Sequence, residues 1–141
     1  MYLVTLAILT LYVSATDFLY RKIQNYALYI LLVVQCFLSP LDIQIMSSLL
    51  MLVIGLILYK LIWIGAGDIK YVVILSLTIP IDDLLLAYIL TAFAGGILAF
   101  SYLVSRNLFK RNPHAKDGIP YGIAISIGFY LVILTLSTPH I

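Results

Sequence analysis

Two aspartates, Asp17 and Asp68, are the residues of this chain whose type and placement could do chemistry. Each lies where a long apolar run meets basic residues, and both are expected to approach the same face of a membrane. Two neighbouring carboxylates share one proton, because charging both is costly. One can then activate a water while the other protonates a leaving group, which is the chemistry of an aspartic protease.

The composition indicates the kind of protein that must position this pair. Of 141 residues, 64% are hydrophobic and 10% are charged, and the mean hydropathy is +1.15. Soluble domains are about 45–50% apolar and about 25% charged. We therefore predict an all-α polytopic membrane protein, and we exclude a disordered chain. The net charge of +2 argues against a nucleic-acid partner.

Apolar runs give the expected helices. There are six, at residues 1–16, 26–38, 43–64, 69–81, 84–105 and 119–138. A membrane span needs about 20 residues, so the third, fifth and sixth runs qualify alone and the others need their polar flanks. The first run has no basic segment before it, so we expect a helix rather than a cleaved signal peptide. The sequence predicts six transmembrane helices in one domain, residues 1–141.

The basic residues predict the orientation. Six of the eight lie between helices one and two or five and six, the other two flank the junction of helices three and four, and the charged residues of the alternate loops are all acids. The basic residues are Arg21, Lys22, Lys60, Lys70, Arg106, Lys110, Arg111 and Lys116, and the acids are Asp42, Asp82 and Asp83. Basic loops stay cytoplasmic. Both termini are then extracytoplasmic, and the expected active site is near the cytoplasmic face.

The depths of the two aspartates follow from helix length. Asp68 precedes Asp82 by fourteen residues, which is about 21 Å of helix against a hydrocarbon core of about 30 Å. Asp17 follows Met1 by sixteen residues, or about 24 Å. Both carboxylates should therefore lie several ångströms inside the cytoplasmic boundary. Ionisable groups at such depth are functional candidates.

Each aspartate also has a structural interpretation. Gly65 and Gly67 flank Ala66 before Asp68, and they permit a positive φ and close approach of a substrate backbone. The alternative is a loop that ends in an aspartate N-cap of helix four. For Asp17, the alternative is an i,i+4 salt bridge to Arg21.

Three further residues are candidates for supporting roles. Lys70 is two residues past Asp68 and points elsewhere on a helix, which suits an interfacial lysine, although a role in tuning a carboxylate stays open. Asn25 could cap a helix or bind a loop or substrate backbone. Pro120 suits the first turn of the last helix.

No metal or cofactor is expected. The chain has one cysteine and two histidines that are 26 positions apart, which is not metal-ligand spacing. The basic stretch 106–116 would repel a basic peptide, so membrane lipids with anionic headgroups are its expected partner.

Three segments resemble a known family. Residues 65–70 (Gly-Ala-Gly-Asp-Ile-Lys) resemble the Gly-x-Gly-Asp-[Val/Ile]-Lys signature of type IV prepilin peptidases. Residues 17–25 resemble their first motif, an aspartate followed by a basic pair and Ile-Pro-Asn, with Gln24 in place of the proline. Residues 118–122 resemble their late Pro-[Phe/Tyr]-Gly motif. All three occur in the family's order.

The resemblance implies an intramembrane aspartic endopeptidase with Asp17 and Asp68 as its catalytic pair. Its substrate would be a prepilin, whose short basic leader is cut off at the cytoplasmic face. The chain lacks the cysteine-rich zinc insertion and methyltransferase activity of longer members, so it is similar to the short, peptidase-only branch of tight-adherence (Flp-type) pilus systems. The oligomeric state is not indicated.

Two other functions stay open at this point. Asp17 and Asp68 could relay protons in a small proton- or ion-coupled transporter. The chain could also be a non-enzymatic membrane subunit of a secretion system. The Gly-x-Gly-Asp segment favours the peptidase, since a proton relay needs no flexible loop.

Overall fold

A computed structural model describes residues 1–20, 23–39, 42–62, 65–109 and 121–137 of the chain. This part is all-α, as the sequence predicts, and it contains six α-helices and a short 3-10 turn at Ser76–Thr78. The helices are α1 (Tyr2–Tyr20), α2 (Asn25–Phe37), α3 (Ile45–Ile62), α4 (Ala66–Leu75), α5 (Ile81–Phe109) and α6 (Tyr121–Ser137).

The helices pack as consecutive antiparallel pairs. Between α1 and α2, the hydroxyl of Tyr2 donates to the side chain of Gln35, so the start of α1 lies beside the end of α2. Between α3 and α4, the Ser48 hydroxyl donates to the Val73 carbonyl at 3.0 Å. Helix α5 packs along α6, which also packs against α1. This arrangement brings the first and last described helices together.

Helix α4 is the central element. It contacts α2, α3 and α6, and its residues Tyr71 and Leu75 have no exposed surface. Phe129 and Ile133 of α6 and Leu31 of α2 are also fully buried. Helix α4 is only ten residues long. A helix of this length is marginally stable alone, so packing against the neighbouring helices must stabilise it.

The expected length of helix four is wrong. Instead of continuing from Asp68 to Asp82, α4 ends at Leu75, and the 3-10 turn and an extended Ile79 follow it. Pro80 explains the break, because proline disfavours a helical conformation in the residue before it. Asp82 belongs to the first turn of α5. The depth of Asp68 therefore does not follow from a continuous 21 Å helix.

We call the end of the bundle where α1 ends and α4 and α6 begin the aspartate end. Basic residues of the described ranges lie toward this end, on the last turns of α3 and α5 and on α4, and acidic residues other than Asp17 and Asp68 lie at the opposite end. The basic residues are Lys60, Lys70 and Arg106, and the acidic ones are Asp42, Asp82 and Asp83. The charge separation read from the sequence is thus also a separation in space.

Among the described residues, two helices are long and apolar enough to cross a membrane by length and composition, namely Tyr2–Tyr20 and Ile81–Leu108. The apolar helices at Asn25–Phe37, Ile45–Leu61 and Tyr121–Ser137 are shorter. The number of helices agrees with the sequence prediction.

Candidate active site

Asp17 lies in the last turn of α1 and faces the first turn of α6. Its side chain is 7% exposed, and its Oδ2 accepts a hydrogen bond from the backbone N–H of Gly122 at 2.7 Å. The first N–H groups of a helix have no partner within the helix, and they attract anionic groups. The start of α6 therefore holds a buried carboxylate that would otherwise be costly to desolvate.

Only glycine fits at position 122. A Cβ there would lie 2.6 Å from Asp17 Oδ2, 3.0 Å from Cγ and 3.1 Å from Cβ. Any side chain would displace the carboxylate and disturb its hydrogen bond. Gly122 belongs to the late motif at residues 118–122, in which Pro120 is the residue that the sequence predicts for a supporting role. Pro120 lies outside the described residues.

Asp68 lies in the first turn of α4 and is partly buried. The N-cap of α4 is Gly65, and the backbone N–H of Asp68 donates to the Gly65 carbonyl at 3.1 Å. The alternative in which Asp68 caps the helix is therefore wrong. Asp68 is instead inside the helix, where rigid backbone geometry sets the direction of its side chain.

The two glycines before Asp68 do not use a positive φ. Gly65 has φ −60° and ψ 136°, and Gly67 is helical, without a left-handed φ. What Gly67 permits is close approach, since a Cβ there would lie 3.3 Å from the Cβ of Ile23. The start of α4 thus packs against the segment that precedes α2. The expected positive φ is wrong at both glycines, and the close approach at Gly67 is made to the protein itself.

The two carboxylates come together at the aspartate end, although 51 positions separate them in the sequence. The charge of Asp17 acts on Asp68, and it acts also on Tyr71 one turn further along α4. Each aspartate is carried by its own helix, and α6 contacts both helices. The arrangement can hold one proton between two carboxylates, which suits general acid–base chemistry.

Asp68 also lines a cavity of about 380 Å³ between α3, α4, α5 and α6. Most of its wall is apolar, with Met51, Leu58, Val72 and Phe129 among the lining residues. A cavity with few polar groups binds apolar groups and uses the polar ones for orientation. Here the carboxyl of Asp68 is the charged group in the wall.

A chain of buried hydroxyl groups lies behind Asp17. Ser126 Oγ donates to the Gly122 carbonyl at 2.7 Å and is 2.6 Å from the hydroxyl of Tyr71. Ser14 Oγ of α1 lies 2.9 Å from the same Ser126 Oγ and 2.7 Å from the Thr10 carbonyl, so two acceptors are within reach of its one proton. None of these three hydroxyl residues is predicted from the sequence as part of the site. Only the proximity of Tyr71 to the Asp68 signature could have suggested one of them.

Asn25 and Lys70 lie away from the Asp68 cavity. Both are exposed, and both line a second groove of about 220 Å³ with apolar residues of α2, α3 and α4. Asn25 is the first residue of α2, and the N-cap position before it makes no side-chain hydrogen bond. Lys70 points away from the Asp68 cavity, as its spacing in the sequence indicates. Arg21, which the sequence offers as a salt-bridge partner of Asp17, lies outside the described residues.

In the described ranges, no group of three or more His, Cys, Asp or Glu side chains could hold a metal ion.

Comparison with known families adds an independent observation. The sequence model of the type IV leader peptidase family matches residues 4–100 of this chain. The matched range includes Asp17, Asn25, Asp68 and Lys70, and it ends before α6. No curated protein and no solved structure matches the chain.

Proposed function

Because the chain belongs to the type IV leader peptidase family, we propose that it is an intramembrane aspartic endopeptidase that removes the leader of a prepilin. Membership makes it a peptidase, hence a hydrolase, and implies prepilin substrates. The aspartic mechanism, the type of pilin and the side of the membrane are parts of the proposal.

A single observation carries the aspartic mechanism. Asp17 and Asp68 come from separate helices and lie at the same end of the bundle, where the charge of Asp17 acts on Asp68. In the proposed reaction, one carboxylate takes a proton from a water, which attacks the scissile carbonyl carbon. The other carboxylic acid gives its proton to the leaving nitrogen, so the pair ends with one proton, as it began.

The two aspartates have different surroundings, which suggests that they have different roles in the reaction. Asp17 is held by the Gly122 N–H and is almost fully buried, so α6 fixes its position. Asp68 lines the cavity and can be reached by a substrate that enters it. We infer that the peptide approaches from the cavity and meets Asp68 first.

The cavity supports a substrate with an apolar residue next to the scissile bond. A volume of about 380 Å³ can hold large apolar side chains, and the wall offers them mostly apolar contacts. A prepilin has a short basic leader followed by a hydrophobic helix. In our proposal, the start of that hydrophobic helix occupies the cavity and the leader stays outside it.

A membrane location is supported by the outer surface of the bundle. On α5, Leu85 is 68% exposed, Phe93 is 70% exposed and Phe100 is 69% exposed. Soluble monomers rarely expose apolar patches of this extent. We propose that all six helices lie in the inner membrane and that the shorter ones reach its surfaces through polar flanks.

The separation of charges supports the orientation. Lysine and arginine of the described ranges lie at the aspartate end, and basic segments are retained in the cytoplasm. We therefore propose cleavage near the cytoplasmic face and extracytoplasmic termini. The chain has one cysteine, so the cysteine-rich insertion of longer enzymes does not fit. This favours a peptidase-only enzyme acting on small Flp-like prepilins.

The test replaces each aspartate by its nearly isosteric amide. Asp17→Asn and Asp68→Asn should each lower prepilin cleavage by several orders of magnitude, because paired catalytic groups act as a unit. The double variant should be little worse than either single variant. Asp42→Asn is the matched control, since Asp42 is exposed at the opposite end of the bundle.

Cleavage is followed as a gel-shift time course in membranes that contain a matched prepilin, with enzyme levels measured by immunoblot. Wild-type cleavage by either amide variant would refute the catalytic pair. Cleavage lost only in proportion to protein level would show that the aspartates are structural. A transporter would leave the prepilin uncut in every membrane, including the wild type.

A further inference from the structure

Tyr71 is fully buried, and its hydroxyl has a specific partner. It lies three residues after Asp68 on α4, so the two side chains are neighbours along one side of the helix. Its hydroxyl lies 2.6 Å from Ser126 Oγ on α6. A buried aromatic residue needs no hydroxyl for packing, and a phenylalanine would avoid the cost of desolvating one.

The hydrogen positions in this chain of hydroxyl groups can be assigned by counting protons. Ser126 has one hydroxyl proton and donates it to the Gly122 carbonyl at 2.7 Å. The Thr10 carbonyl, 3.4 Å away, is a second acceptor for that proton, and with the proton on either carbonyl Ser126 Oγ accepts from the Tyr71 hydroxyl. Helix α4 therefore donates a hydrogen bond to the first turns of α6.

The same first turn of α6 holds Asp17. The Gly122 peptide group donates its N–H to Asp17, and the Gly122 carbonyl accepts from Ser126. One hydrogen-bonded chain thus runs from α4, which carries Asp68, through α6 to the carboxylate of Asp17.

We propose that Tyr71 and Ser126 are positioning residues that fix the separation of the two catalytic carboxylates. Their hydrogen bond sets the position of α4 along α6, and Gly122 sets the position of α1 on the same helix. This inference rests on the proposed function. It adds that α6 is the common reference from which both aspartates are placed.

The molecule offers a matched control for Tyr71. Tyr130 also lies on α6 and donates its hydroxyl to the backbone carbonyl of Leu3 on α1, at 3.3 Å. That hydrogen bond joins helices at the opposite end of the bundle. Removal of either hydroxyl deletes one interhelical hydrogen bond, but only the Tyr71 bond is connected to the aspartates.

The experiment compares Tyr71→Phe, Ser126→Ala, their double variant and Tyr130→Phe. Initial cleavage rates of a matched prepilin are measured over a range of prepilin concentrations, per mole of folded enzyme in membranes. Tyr71→Phe and Ser126→Ala should each lower kcat by about 10-fold to 100-fold, because an ångström of misplacement costs about 100-fold. KM should stay unchanged. The kcat of the double variant should be no lower than that of the more impaired single variant. Tyr130→Phe should keep the wild-type kcat.

Three outcomes would overturn the inference. Tyr71→Phe could retain the wild-type kcat, or it could raise KM alone, or Tyr130→Phe could lower kcat by as much. If these occur while Asp17→Asn and Asp68→Asn are inactive, the proposed function stands and only the positioning role fails. Wild-type cleavage by the aspartate variants would instead refute the proposed function, and the positioning role with it.

Discussion

Replacement of Gly122 by alanine tests how tightly the Asp17 carboxylate is placed. The new methyl group would lie 2.6 Å from Asp17 Oδ2. Ordinary carbon contacts lie at about 3.5 Å, so carboxylate and helix must separate by about 0.9 Å. The hydrogen bond from the Gly122 N–H, 2.7 Å long, would then stretch beyond hydrogen-bonding distance.

Two effects give the expected magnitude. A hydrogen bond to a charged group contributes about 1.5–3 kcal/mol, and a displacement near 1 Å costs about 100-fold in rate. We therefore expect Gly122→Ala to lower kcat by about 100-fold. Overpacking can also destabilise the fold by about 1–3 kcal/mol, so the amount of folded enzyme must be measured.

The matched control is Gly96→Ala. Gly96 lies within α5, and a Cβ there would have no atom within 4 Å. Alanine is a better helix former than glycine, so this variant should be at least as stable as the wild type and fully active. The assay is the gel-shift time course in membranes, normalised to folded enzyme. Wild-type kcat in Gly122→Ala would show that contact with α6 does not position Asp17 for catalysis.

The cavity and the topology give the remaining predictions. Val72→Phe should fill part of the cavity and raise KM about 10-fold for a prepilin with a large apolar residue beside the cleavage site. The control is Val73→Phe, which faces the second groove and should leave KM unchanged. Equal KM values for Val72→Phe and Val73→Phe would refute the cavity as substrate site. A reporter inserted near Asn112 should be cytoplasmic and one fused after Ile141 extracytoplasmic, and the reverse labelling would contradict the proposed orientation.

The sequence predicts the six helices because each one is a distinct apolar run. Runs of this kind are strong signals, and the observed helices agree with them in number and order. The error at α4 has a physical cause. The predicted apolar run continues through Ser76–Thr78, and hydropathy does not indicate that Pro80 interrupts the helix. Hydropathy measures the preference of a segment for an apolar environment, whereas helix ends depend on backbone geometry.

The identity of the candidate pair could be predicted from motif and spacing, but its surroundings could not. The hydrogen bond from Gly122 to Asp17 joins residues 105 positions apart, and no local pattern indicates such a contact. Tyr71 and Ser126 appear as ordinary members of apolar helices until the packing of α4 on α6 is known. The sequence shows that glycine at positions 65 and 67 permits a positive φ, but it does not show that Gly67 is helical and packs closely against Ile23.

The contact between Asp17 and Gly122 has a consequence for the biosynthesis of the enzyme. Helix α1 leaves the ribosome early, whereas the N–H that holds its aspartate is made 105 residues later. Asp68 is already present by then, so both carboxylates exist before the group that places one of them. A nascent chain that ends before α6 would therefore carry both acids without the Gly122 contact. Proteolytic competence would appear only once that last described helix has inserted, which delays activity until the peptidase is assembled.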